Sequence, residues 1–115
     1  MSAPRSRVTT HVLDAAAGQP AAGVPVQLLG RVGPEWEPLA EGLTDADGRV
    51  ADLGPTDLAP GAYRLVFDTA TYFRAHGVPA FYPEVLVTFS LDEPAAHYHV
   101  PLLLSPYAYS TYRGS

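Results

Sequence analysis

At 115 residues the chain fits one domain, residues 1–115, built on a single core. The absence of cysteine excludes disulfides and thiolate metal sites, and a net charge of -5 with all seven basic residues arginine argues against nucleic acid and anionic membrane as partners. No apolar run approaches the ~18 residues that span a bilayer, and Met1 to Arg7 lacks the apolar core of a secretory signal, so a cytoplasmic protein is expected.

Twelve prolines and ten glycines interrupt the chain too often for long helices, which leaves short strands joined by turns. From Arg7 to Asp14, Val8, Thr10 and Val12 alternate with Thr9, His11 and Leu13, predicting a first strand. Residues 15 to 23, with two glycines and a proline, read as a loop. Val24 to Arg31 is a second strand, ended by Gly33-Pro34. Trp36 to Thr44 is a weaker third, where Pro38 suggests an irregular or edge position.

Asp45-Ala46-Asp47-Gly48 is a turn, because Asp side chains hydrogen-bond forward to the backbone and Gly accepts positive φ. Arg49 follows at once, then Val50 to Leu53 as a very short fourth strand. After a loop rich in Pro and Gly, Ala62 to Phe67 is a fifth strand with Tyr63, Leu65 and Phe67 on one face. Thr69 to His76 predicts the one short helix, capped by Asp68 or Thr69 and ended by Gly77, with Tyr72 and Phe73 packing inward. At the end of that helix His76 suits the dipole and reads as structural. Glu84 to Leu91 is a sixth strand, His97 to Leu104 a seventh, and Tyr107 to Tyr112 an eighth. Eight strands, with a helix between the fifth and sixth, predict an all-β antiparallel sandwich.

The last nineteen residues, from His97 to Ser115, gather two histidines, tyrosines and an arginine around a Ser105-Pro106 turn. A tail without a role decays into Gly, Ser and unpatterned charge, whereas this one keeps strand alternation almost to its end. Two of only four histidines stand in one strand there, His97 and His99, and His11 stands in another. Imidazoles with a reference pKa near ~6.5 can divide the work of hydrolysis, one deprotonating water and one protonating the leaving group. A strand histidine is otherwise an ordinary half-buried residue. His97-x-His99 with His11 also admits a metal reading, since alternate strand residues point the same way. Arg49 either pairs with the Asp45 and Asp47 carboxylates or aims a planar charged fork at a carbonyl or anionic ring.

In the tail, Arg113 offers donors, Gly114 permits close backbone approach, and a carboxylate at Ser115 can hold an imidazole in one tautomer. Tyr112, on the same side as Ser110, would narrow a channel for a flat ligand. The plainer readings are a frayed end, and tyrosines that only cover a strand edge or its pairing with a twin.

The order of elements, Thr10-His11-Val12-Leu13-Asp14, Asp47-Gly48-Arg49, the run from His97 to Tyr107 and the terminal Tyr112-Arg113-Gly114-Ser115 closely resemble the 5-hydroxyisourate hydrolases, the enzymatic branch of the transthyretin-like proteins. The resemblance covers the chain after residue 6. It implies two four-stranded sheets per subunit and a homotetramer, a dimer of dimers, with sites in a channel where dimers meet. It implies hydrolytic opening of the six-membered ring of 5-hydroxyisourate in purine catabolism, with no metal and no cofactor, and His97 a neighbour of the site. Residue by residue it makes His11, Arg49, His99 and Ser115 catalytic, and Ser110, Tyr112, Arg113 and Gly114 substrate-binding. A rival is a non-catalytic small-ligand carrier or regulatory β-sandwich module. Gly18 to Val26, Thr44 to Arg49 and Leu58 to Tyr63 also look like regulatory domains appended to peptidases, although such turn patterns report fold alone.

Overall fold

In the computed structural model, which describes residues 6–93 and 96–114, the elements run β1 (Val8–Asp14), β2 (Gln19–Pro20), β3 (Pro25–Val32), β4 (Glu35–Leu43), β5 (Arg49–Val50), β6 (Gly61–Phe67), α1 (Thr69–Ala75), β7 (Val85–Leu91), β8 (Tyr98–Leu104) and β9 (Tyr109–Thr111). One sheet has the order β2-β1-β8-β9, with β5 also on β1; the other is β4-β3-β6-β7. Alternation decides which side chains meet between them. Val8 and Val12 of β1, Leu102 and Leu104 of β8, Leu28 of β3, Leu65 and Phe67 of β6 and Val85 of β7 are all fully buried in one core.

Two expectations are corrected. The sandwich is not antiparallel throughout: β1 and β8 pair in parallel, from Val8↔Tyr98 to Asp14↔Leu104. Between them the chain builds all of the other sheet, returns once to the first as β5, and then re-enters it in its starting direction as β8. The first sheet also has five strands rather than four, because Gln19 and Pro20, read as loop, pair with Asp14 and Leu13. Elsewhere the irregularities follow the sequence. Pro38 lies on β4, an edge strand, beside a register shift between Leu28 and Leu29, where a missing N–H costs no ladder bond. On the same sheet Trp36 takes two cations, Arg64 at 4.1 Å and Arg31 at 5.8 Å from its ring centre.

The helix is held at both ends. Asp68 caps it by accepting from the Thr71 amide at 3.1 Å, and His76 Nδ1 donates to the Tyr72 carbonyl at 2.9 Å. Its inward Tyr72 hydroxyl donates to Asp14 Oδ2 at 2.7 Å, while Oδ1 of Asp14 accepts the amides of Ala16 and Ala17. Burial, and then the Asp14 carboxylate beside it, push the Tyr72 phenol well above the usual tyrosine range.

The turn before β5 fixes where Arg49 leaves the sheet. Oδ1 of Asp45 accepts from the amides of Asp47 at 2.9 Å and Arg49 at 3.0 Å. Gly48 has φ +77°, and a Cβ there would run into the Val12 carbonyl oxygen. Its own carbonyl accepts from the Val12 amide at 2.7 Å, which pulls the turn against β1. Strand pairing therefore begins at Arg49, one residue earlier than expected, and ends at Val50. Three residues further on, the Leu53 amide donates to Ser6 Oγ at 2.9 Å rather than to a strand.

Gly48→Ala should destabilise the protein by about 2 kcal/mol or more, from left-handed backbone strain plus the clash, read as a lower denaturant midpoint. Tyr72 gives a pH prediction. The folded state holds its proton more tightly than the unfolded chain, whose tyrosines ionise near ~10. Its contribution is complete below that pH and is lost as pH rises toward the folded value. The thermal midpoint should fall above pH ~10, less steeply in Tyr72→Phe, which at neutral pH should already be weaker by about 1–3 kcal/mol.

Candidate active site

The face of the first sheet turned away from the core carries the residues of interest. On β1 the residues facing away from Val8, Thr10 and Val12 are Thr9, His11 and Leu13; on β8 they are His99, Pro101 and Leu103. The parallel ladder sets Thr9 beside His99 and His11 beside Pro101, and β5 sets Arg49 opposite His11. Paired residues point to the same side, so His11, Arg49 and His99 share one face although they come from three separate stretches of chain. A hollow of about 290 Å³ opens there, lined by Thr9, Thr10, Arg49, Val50, Ala51, His97 and His99. His11 stands next to it, its Nε2 donating to the Asp47 carbonyl at 2.8 Å. That bond ties the imidazole to the same turn that presents Arg49. A larger hollow, about 520 Å³, lies on the other sheet around Gln27, Glu41, Leu43 and Asp68 and contains neither imidazole nor guanidinium.

The two histidines of the seventh predicted strand are joined through β1. Thr9 Oγ1 lies 2.9 Å from His97 Nε2 and 2.9 Å from His99 Nδ1, and His97 Nδ1 lies 3.1 Å from the Ser6 carbonyl. One nitrogen of each imidazole is thus engaged with one hydroxyl. Among the described residues no three His, Cys, Asp or Glu side chains are grouped so as to hold a metal ion. Thr9 is the residue that sequence reasoning missed. Its signal was its place two residues before His11 on the same face, but its partners depend on the β1–β8 register.

As far as Gly114 the tail stays attached to β8. β9 pairs with β8 through Leu103↔Ser110 and its neighbours, and the Gly114 amide donates to the His99 carbonyl at 2.8 Å. A Cβ on Gly114 would lie 2.6 Å from Cδ2 of His99, so a side chain there would displace the imidazole. Ser110 is on the outer face, further along β8. Tyr112 is exposed at 56 %. Arg113 is turned toward the edge between the sheets, its guanidinium 4.6 Å from the centre of the inward-pointing Tyr98 ring. There a third hollow, of about 230 Å³, is lined by Phe89, Tyr98, His99, Tyr112 and Arg113 among others, so His99 borders both this hollow and the 290 Å³ one. The structure thus brings His11, Arg49 and His99 to one face with Gly114 against His99, whereas Tyr112 and Arg113 line the hollow at the sheet edge and Ser110 lies further along β8. Ser115 lies outside the described residues.

Residues 8–114 match the family model described as the HIUase/Transthyretin family. The 5-hydroxyisourate hydrolase of Pseudomonas aeruginosa is 48% identical over 118 residues, covering 97% of this chain and 94% of that protein. Among solved structures, Klebsiella pneumoniae 5-hydroxyisourate hydrolase superposes with a TM-score of 0.84 at 38% identity, covering 94% of this chain and 97% of the other. Transthyretin from Sparus aurata superposes with a TM-score of 0.89 at 32% identity, covering 96% and 97%. A match across nearly all of the sandwich, with relatives this similar at full length, means that the chain belongs to the HIUase/Transthyretin family.

Proposed function

We propose that the protein hydrolyses 5-hydroxyisourate, with His11, Arg49 and His99 forming the reactive face. The fold does not choose between enzyme and carrier, since the transthyretin superposes at least as well as the hydrolase. The observation that carries the reading is the convergence of two imidazoles and an exposed guanidinium on one face, in a chain whose full-length relatives bear the hydrolase name. Opening a cyclic amide requires a proton removed from water as its oxygen adds to the ring carbonyl. Negative charge then builds on the carbonyl oxygen, and a proton reaches nitrogen as the C–N bond breaks. His11 and His99 divide the two proton transfers. Arg49 binds the urate-like ring and opposes the developing charge, which a permanently charged fork does without titrating at neutral pH.

Ser110, Tyr112, Arg113 and Gly114 complete the substrate-binding rim in this reading, and Ser115 orients the constellation. No resident cofactor or metal is invoked. The assembly is a homotetramer in which these faces meet in a channel. Two features support it: β7 and β9 are edge strands, and Tyr107, Tyr109 and Tyr112 are exposed on and around β9. The cytoplasm is the proposed compartment; among the described residues no helix is long and apolar enough to cross a membrane.

Purified protein should accelerate the decay of freshly generated 5-hydroxyisourate, followed by ultraviolet absorbance; an unchanged decay rate would overturn the activity. Arg49→Ala and His99→Ala should each lower kcat/KM by about 10²-fold or more with the circular dichroism spectrum retained. Turnover at the wild-type rate in either would remove that residue from the reaction. Sedimentation should give four subunits per particle.

A further inference from the structure

Hydrogen-bond directions around Thr9 determine more than proximity. The Ser6 carbonyl can only accept, so the 3.1 Å contact places a proton on His97 Nδ1. In a neutral His97 the other ring nitrogen, Nε2, is then an acceptor. Thr9, 2.9 Å away, must donate its single hydroxyl proton to it. Having spent that proton, Thr9 Oγ1 can only accept from His99 Nδ1, also at 2.9 Å. His99 is thereby held with its proton on Nδ1, which leaves Nε2 as the basic nitrogen.

The arrangement is preorganised. Ser6 and Thr9 are buried, at 4 % and 5 % exposure, and all the groups sit on or beside the β1–β8 ladder. Ser6 is further pinned by its own hydroxyl, which accepts from the Leu53 amide and donates to the Gly54 carbonyl at 3.2 Å. Each orientation in the chain is therefore set by the one before it, back to a backbone carbonyl that cannot reverse.

We propose that Thr9 and His97 are positioning residues which, through the relay Ser6 carbonyl–His97–Thr9–His99, select the Nδ1–H tautomer of His99 and so make its Nε2 the general base of the hydrolysis. The proposal rests on the hydrolase reading for its catalytic half alone; the tautomer is a property of the resting protein. A proton on the wrong nitrogen is costly in sites of this kind because a base that already carries it cannot take one from water. His97 acts two hydrogen bonds from the base and needs no contact with substrate.

The test is long-range ¹H–¹⁵N correlation spectroscopy of the imidazoles in the ligand-free, full-length protein, above the pH range in which imidazole titrates. His99 Nδ1 should be the protonated nitrogen. Thr9→Val, which removes the hydroxyl, and His97→Phe, which frees the Thr9 proton to point at His99, should each move His99 toward the Nε2–H tautomer. Both should lower kcat by at least about tenfold with KM held within about twofold, while Thr9→Ser retains tautomer and rate. An Nε2–H His99 in the unmodified protein would overturn the proposal, even if a variant failed to fold. So would unchanged kcat and tautomer in Thr9→Val and His97→Phe. Absence of turnover in the unmodified protein would instead sink the hydrolase reading, with the nitrogen spectrum still deciding the tautomer.

Discussion

The parallel ladder between β1 and β8 is the constraint on which everything at the candidate site depends. It is the central pairing of the first sheet, with β2 and β5 along one side and β9 along the other. Because side chains alternate with a period of two, slipping this register by one residue would bury His11 and His99 and expose the core valines. The core opposes such a slip. Val8, Val12, Leu102 and Leu104 are all at or near zero exposure, and each apolar side chain moved into water would cost about 1.5–3 kcal/mol. The same packing that stabilises the sandwich holds the imidazole face in register.

Apart from the two-residue β2, strand existence was legible in the sequence because alternation is local. So were the Asp68 cap, the edge position of Pro38 and the turn at Asp45 to Gly48, since each rests on one residue's own chemistry. What alternation does not encode is which strand lies beside which, and in what direction. The β1–β8 pairing joins segments about ninety residues apart in the chain, and no turn signal links them. Thr9 was invisible as a partner of both histidines for the same reason. Arg49 was recognised by its turn and by resemblance, but its place on β5 opposite His11 required knowing that the Gly48 carbonyl binds the Val12 amide. Arg113 departs furthest from a purely local reading, because its cation is drawn to the Tyr98 ring at the sheet edge.

Family membership and chemistry are carried by different parts of the molecule. The two sheets, their crossover and the short helix superpose on a hydrolase and a transthyretin alike. In the proposed reading the distinguishing chemistry occupies the outer face of one sheet, where side chains are free to vary without disturbing the buried ones. Polar residues on such a face, attached to a core indifferent to them, allow a single sandwich to take on different chemistry.

Trp36 lends the protein an optical asymmetry. It is the chain's single tryptophan, and it sits on the edge strand of the second sheet beside the guanidinium groups of Arg31 and Arg64. Its emission therefore reports loss of that strand and its stacked cations, while an occupant on the histidine face of the opposite sheet leaves it dark to the event. Fluorescence will count folded molecules here, and substrate must be watched by its own absorption.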